Sequence, residues 1–95
     1  MKLGHLLKSI GKFIVFENIP EELKNVEVTG IYNNSTKAKP GSLFICRQGR
    51  SFDSHTIVDT IYRENGVLAF VTEKEIDSRF PYVQVYDSRL AEAYL

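Results

Sequence analysis

Leu3, Leu6, Leu7, Ile10 and Ile14 recur at steps of three and four, which lays one apolar stripe along a first helix and leaves Lys2, Lys8 and Lys12 off it. Residues 18–25 hold Pro20 and charged side chains and form a connector. Val26, Val28, Gly30 and Tyr32 alternate with Glu27, Thr29 and Ile31, the period of a partly buried strand. Asn33-Asn34-Ser35-Thr36 ends it, because these side chains compete with the ladder for hydrogen bonds. After the Pro40-Gly41 turn, Leu43-Phe44-Ile45-Cys46 is a short unbroken apolar run, predicting a strand covered on both faces. A polar loop, Arg47 to Phe52, leads to Asp53 or Ser54 as the cap of a helix reaching about Asn65. Gly66 stands where a left-handed C-cap is wanted. Ile57, Val58, Ile61 and Tyr62 form its inward face, and Val67 to Val71 is the next buried strand, so strand, helix and strand make a parallel crossover. Tyr82 to Tyr86 predicts another strand, and Asp87-Ser88 the cap of a last helix. That helix is unfinished at Leu95, so the chain is expected to be a piece of a longer one.

The pattern therefore predicts an α/β fold: a small, largely parallel sheet with flanking helices. Residues 1–95 are too few to close more than one hydrophobic core, so they form a single domain. Hydrophobic residues at 43% and charged residues at 25% exclude disorder and low-complexity behaviour. Twelve Lys+Arg balance twelve Asp+Glu, so no global field draws the chain to nucleic acid or to an anionic membrane; recognition of an anion must be local. The lone Cys46 excludes an internal disulfide, and Lys8, Ser9 and Lys12 interrupt the apolar core that a signal peptide needs. A cytoplasmic domain is expected, with neither nucleic acid nor membrane as partner.

Charge is nevertheless uneven. Between Glu27 and Asp53 stand Lys37, Lys39, Arg47 and Arg50 and no acidic residue. The segment contains two loops, Asn33–Thr36 and Gly49–Phe52, that both follow strands and so are expected at the carboxyl ends of a parallel sheet, where open α/β folds bind ligands. The second loop also feeds a helix N-terminus, which favours an anion such as a pyrophosphate, and Gly49 lets backbone approach closely. Four basic residues on a surface segment are equally what plain solvation requires. His5 and His55 are too isolated for a metal site, and no metal is expected. Asp53 is read as a cap before an acid or base, His55 as a capping or packing residue as readily as a ligand contact, and Cys46 as a small buried hydrophobe. Tyr32 and Phe52 border the two loops and could shelter one base, Phe52 equally serving as a hydrophobic staple. Neither a G-x-x-x-x-G-K-[ST] nor a G-x-G-x-x-G loop is present.

Asn34-Ser35-Thr36-Lys37-Ala38-Lys39-Pro40-Gly41-Ser42-Leu43-Phe44 resembles the D-S-R-x-V-x-P-G-x-L-F segment of Mur ligase N-terminal domains. Gly49 followed by Asp53-Ser54-His55 and Ile57 is similar to that family's G-x-x-x-D-G-H-x-F-I, and residues 65–71 and 81–91 resemble its later strand and its closing p-x-i-x-V-x-D-x-R-x-A. The resemblance spans about residues 26–95 and is nearest the MurE type, the UDP-N-acetylmuramoyl-tripeptide synthetases. It implies a domain that holds the uridine diphosphate of UDP-MurNAc-L-Ala-D-Glu (the UDP-MurNAc-dipeptide) in a peptidoglycan-synthesis ligase. Asn33 and Ser35 are then expected on the uridine, and Arg50, Ser51 and Phe52 on the nucleotide from the second loop, with Asn34, Gly49, Asp53 and His55 behind them. No catalytic residue is expected in these 95 residues. ATP, Mg2+ and the choice of added amino acid, diaminopimelate or lysine, would belong to further domains, a central ATPase domain among them. Asn34 and Thr36 replace the Asp and Arg of D-S-R, which implies that a charged contact has become neutral. The competing expectation is a small αβ interaction or regulatory module that has lost the nucleotide.

Overall fold

In the computed structural model, which describes all 95 residues, a five-stranded sheet runs in the order β1-β5-β4-β3-β2 between two layers of helix. The elements are α1 (Leu3–Ser9), β1 (Ile14–Asn18), β2 (Ile31–Tyr32), β3 (Leu43–Ile45), a crossover containing α2 (Val58–Thr60), β4 (Ala69–Thr72), β5 (Tyr82–Val85) and α3 (Ser88–Ala93). Strands β2, β3, β4 and β5 are mutually parallel, with Ile31 opposite Leu43, Leu43 opposite Ala69 and Phe70 opposite Tyr82. β1 lies antiparallel on β5 at the edge, with Val15 as the extra residue of a bulge. The α/β reading with a largely parallel sheet holds.

Strand parity sorts the core. Leu43, Ile45, Ala69, Val71, Val83 and Val85 face one side, where Leu3, Leu6, Leu7 and Ile10 of the α1 stripe and Ala91 of α3 cover them. Phe44, Cys46, Phe70 and Tyr82 face the other, under Val58 and Ile61 of the crossover. β3 and β4 are wholly buried, as their unbroken apolar runs require.

Three local expectations change. The apolar stripe does not continue as helix to Ile14: α1 stops at Ser9, a single 3-10 turn follows at Gly11–Phe13, and Ile14 opens β1. Gly11 weakens helix, while Ile14, Val15 and Phe16 favour extended backbone and find a free edge on β5. The strand expected over residues 26–32 shrinks to β2. Its first half is diverted to the N-terminus, where Leu3 N–H donates to the Val26 carbonyl (3.0 Å) and Val28 N–H to that of Met1 (2.9 Å). The crossover helix is irregular: a 3-10 turn at Ser54–Ile57, one α turn and a π turn at Ile61–Asn65, closed by Gly66 at φ +68°. No helix is long and apolar enough to cross a membrane.

Candidate functional site

All four parallel strands end on one rim, and the residues just beyond them enclose a cleft of about 510 Å³: Asn33 after β2, Arg47, Gln48 and Gly49 after β3, Glu73 after β4, and Tyr86 to Arg89 after β5. The two loops singled out from the sequence therefore meet, through Asn33 and Gly49, on the side of the sheet where open α/β folds place ligands. The lining is polar, with two cations, Arg47 and Arg89, facing two anions, Glu73 and Asp87.

The first loop is an Asx turn. Asn34 Oδ1 accepts from the Thr36 amide (3.0 Å) and the Thr36 hydroxyl (2.8 Å), so positions 34 and 36 are joined without charge, as the departure from D-S-R implied. Ser35 is half-buried, and its carbonyl accepts from Asn65 Nδ2 (2.8 Å), which also donates to Ala38 (3.1 Å) and thereby pins the loop to the end of the crossover. Asn33 is exposed at the rim, its amide donating to Glu92 Oε2 of α3 (3.1 Å).

The second loop is tied at its base. The Arg47 amide donates to the Ser54 hydroxyl (2.7 Å), Ser54 N–H donates to the Arg47 carbonyl (2.9 Å), and Gly49 N–H to the Phe52 carbonyl (2.7 Å). Arg50, Ser51 and Phe52 form its exposed tip, outside the cleft lining, and Phe52 is 54% exposed. Asp53 caps the crossover as expected, accepting from His55 N–H (3.0 Å). Its carboxylate also meets the His55 ring at Nδ1 (2.6 Å) and the Lys74 ammonium, and Lys74 first, then His55, hold its carboxyl down at about 2. Because His55 Nε2 already accepts from Glu73 N–H (3.0 Å), the ring donates from Nδ1 and straps the second loop to the end of β4. Cys46 is fully buried, and burial pushes its thiol up to about 12. No group of three His, Cys, Asp or Glu side chains is arranged to hold a metal ion.

Arg47, expected only as one of four basic residues of its segment, lines the cleft. Parity would have marked it: Leu43, Ile45 and then position 47 fall on the face that α3 covers. There its guanidinium pairs with Glu92.

Sequence comparison decides the family. The chain aligns over all of its 95 residues at 36% identity with the UDP-N-acetylmuramoyl-L-alanyl-D-glutamate–2,6-diaminopimelate ligase of Listeria monocytogenes, and at 39% over 85 residues with that of Bacillus cereus. The chain belongs to the Mur ligase family. Its fold agrees with that of a Mur ligase N-terminal domain: the UDP-N-acetylmuramoylalanyl-D-glutamyl-2,6-diaminopimelate–D-alanyl-D-alanyl ligase (a MurF) of Acinetobacter baumannii superposes over 99% of the chain with a TM-score of 0.76 at 26% identity. A second crystal structure of that MurF gives 0.78. No family model matches the chain. These 95 residues span 18% of the length of the Listeria Mur ligase and 20% of the MurF chain.

Proposed function

We propose that this Mur ligase domain holds the uridine diphosphate end of UDP-MurNAc-L-Ala-D-Glu for a peptidoglycan-precursor ligase of the tripeptide-synthetase type. The observation that carries the proposal is the convergence of Asn33 and Gly49, from two loops separated by a buried strand, on one polar cleft at the carboxyl rim of the sheet. Uracil is neutral and needs a few placed donors and acceptors, which the Asn33 and Ser35 side chains and loop amides supply. The diphosphate needs N–H groups and a cation, and the tip Arg50-Ser51-Phe52, which follows Gly49 of the lining in the chain, carries one guanidinium and one ring. Asn34, Gly49, Asp53 and His55 act behind these contacts by fixing the shapes of the loops.

The domain itself performs no bond chemistry in this proposal. ATP and Mg2+ would serve the ligase reaction from other parts of the parent polypeptide, whose central ATPase domain is the second proposed partner. Firm binding of the distant nucleotide would place the dipeptide carboxylate for reaction there.

Titration of the purified chain with UDP, followed by amide chemical shifts, tests the proposal. Shifts confined to residues 33–36, 47–55 and 86–89 are the expected result, with weak affinity because the sugar and peptide lack their own contacts. No response at millimolar UDP would instead favour an interaction module that has lost its nucleotide. Arg50→Ala is expected to weaken UDP severalfold more than uridine; equal losses would remove Arg50 from the phosphate.

A further inference from the structure

Two donors of the cleft lining, Arg47 and Asn33, are already held by a carboxylate of the protein itself. Glu92, on α3, pairs with the Arg47 guanidinium and accepts from the Asn33 amide, so donors from the ends of β3 and β2 converge on one acidic group. Glu73, after β4, likewise accepts from Ser88 N–H (2.6 Å). The Arg47 Nε, shielded from solvent, finds no acceptor at all. An oxyanion entering the cleft would want the same two donors that Glu92 holds, together with this idle N–H. Arg47 and Glu92 are 32% and 31% exposed, and an ion pair wetted to that degree is weak enough to be exchanged. The charges lining the cleft cancel, Arg47 and Arg89 against Glu73 and Asp87, and Glu92 lies outside that lining, against Arg47.

We infer that Arg47 is a second diphosphate-binding cation, in the cleft lining where Arg50 is not, and that Glu92 is an internal stand-in for the ligand, which a phosphate oxygen displaces from Arg47 and Asn33 on binding. The inference rests on the nucleotide-diphosphate reading above and adds a specificity device to it. A neutral nucleoside leaves the Arg47–Glu92 pair closed, whereas a diphosphate opens it and gains the guanidinium, so the competition adds to the discrimination between UDP and uridine.

The test uses three probes, UDP, uridine and inorganic pyrophosphate, on the wild-type chain and on Arg47→Gln, Arg47→Lys and Glu92→Gln, with the Arg47 Nε–H resonance as the direct readout. Pyrophosphate and UDP are expected to move that resonance, and uridine to leave it in place. Arg47→Gln should weaken UDP about tenfold, the effect of losing one charge-assisted hydrogen bond, and Arg47→Lys should recover part of it. Glu92→Gln should tighten UDP and pyrophosphate about three- to tenfold and leave uridine unchanged. A Glu92→Gln chain that binds UDP more weakly than wild type overturns the inference, because Glu92 would then be a support for Arg47 and not its competitor. UDP binding that shifts the loop amides while the Arg47 resonance stays still overturns it too, and spares the nucleotide reading. Equal binding of UDP and pyrophosphate at Arg47, with no response to uridine, would leave the inference standing and remove the uridine reading. If Arg47→Gln fails to fold, the Arg47→Lys and Glu92→Gln titrations decide alone.

Discussion

The carboxylate of Asp53 accepts from the His55 amide, the His55 ring and the Lys74 ammonium, and so joins the second loop, the start of the crossover and the segment after β4. Asp53→Ala is expected to lower stability by about 1–2 kcal/mol, the usual loss of a helix cap, measured as a drop in the urea midpoint. Asp53→Asn keeps an amide that can cap but removes the charge. The carboxyl sits below its ordinary range in the folded state, near 2, so its charge stabilises the fold fully above the unfolded value of about 3.9 and the effect fades as pH falls through about 2. Wild type should therefore exceed Asp53→Asn in stability at pH 6, and the two midpoints should converge as pH approaches 2. Cys46 makes a separate prediction at this scale. Its thiol, pushed up to about 12 by burial, should be unreactive towards a thiol reagent in the native chain at neutral pH and react promptly in denaturant; rapid native-state labelling would show that β3 opens.

Among the elements, two glycines fasten the crossover to the turn before β3. Gly41 and Gly66 both lie at positive φ, +76° and +68°, and Gly41 N–H donates to the Gly66 carbonyl (2.8 Å). Alanine at either position is expected to lose about 1–2 kcal/mol from backbone conformation alone. At Gly41 the new methyl would also come within 3.1 Å of the Thr29 methyl, whereas at Gly66 its nearest neighbour is Pro40 at 3.4 Å, an ordinary contact. Gly41→Ala should accordingly lower the thermal midpoint more than Gly66→Ala.

The same elements show what periodicity can and cannot read. Leu43 to Cys46 and Val67 to Val71 were legible because burial on both faces demands unbroken apolar runs, and Gly66 because only a left-handed residue ends that helix cleanly. β1 was hidden because Ile14 continues the three-and-four spacing of α1 by coincidence, and the edge of β5 that draws it out is distant in the chain. Residues 26–28 alternate as a strand should, yet their partner is the backbone of Met1 to Leu3, which no local pattern names. In the cleft, Asn33 and Gly49 were legible because they follow strands. Arg47 stood out only as one of four basic residues and not as a contact, because its partner, Glu92, belongs to a helix placed over it only by the assembled sheet.

Across the whole molecule, the two apolar layers meet in β3, β4 and β5, and the periphery contributes less. Ile45 is fully buried between β4 and the α1–α3 layer, so Ile45→Ala is expected to lower stability by about 2–5 kcal/mol. Val15, in the bulge of β1, is 60% exposed, and Val15→Ala should stay within about 0.5 kcal/mol of wild type. Chemical denaturation of both variants measures the contrast, and similar losses would mean that β1 is as integral to the fold as the central strands.

The placement of β1 bears on how the chain is made. Its only ladder partner is β5, with Ile14 opposite Val85 and Asn18 opposite Tyr82. As the polypeptide leaves the ribosome, the first strand synthesised must wait for the last, while β2, β3 and β4 can zip together in the order of their appearance. Nascent chains stalled before Tyr82 has emerged should show protected amides in β3 and β4 and freely exchanging ones in β1, and the sheet should close from its middle outward.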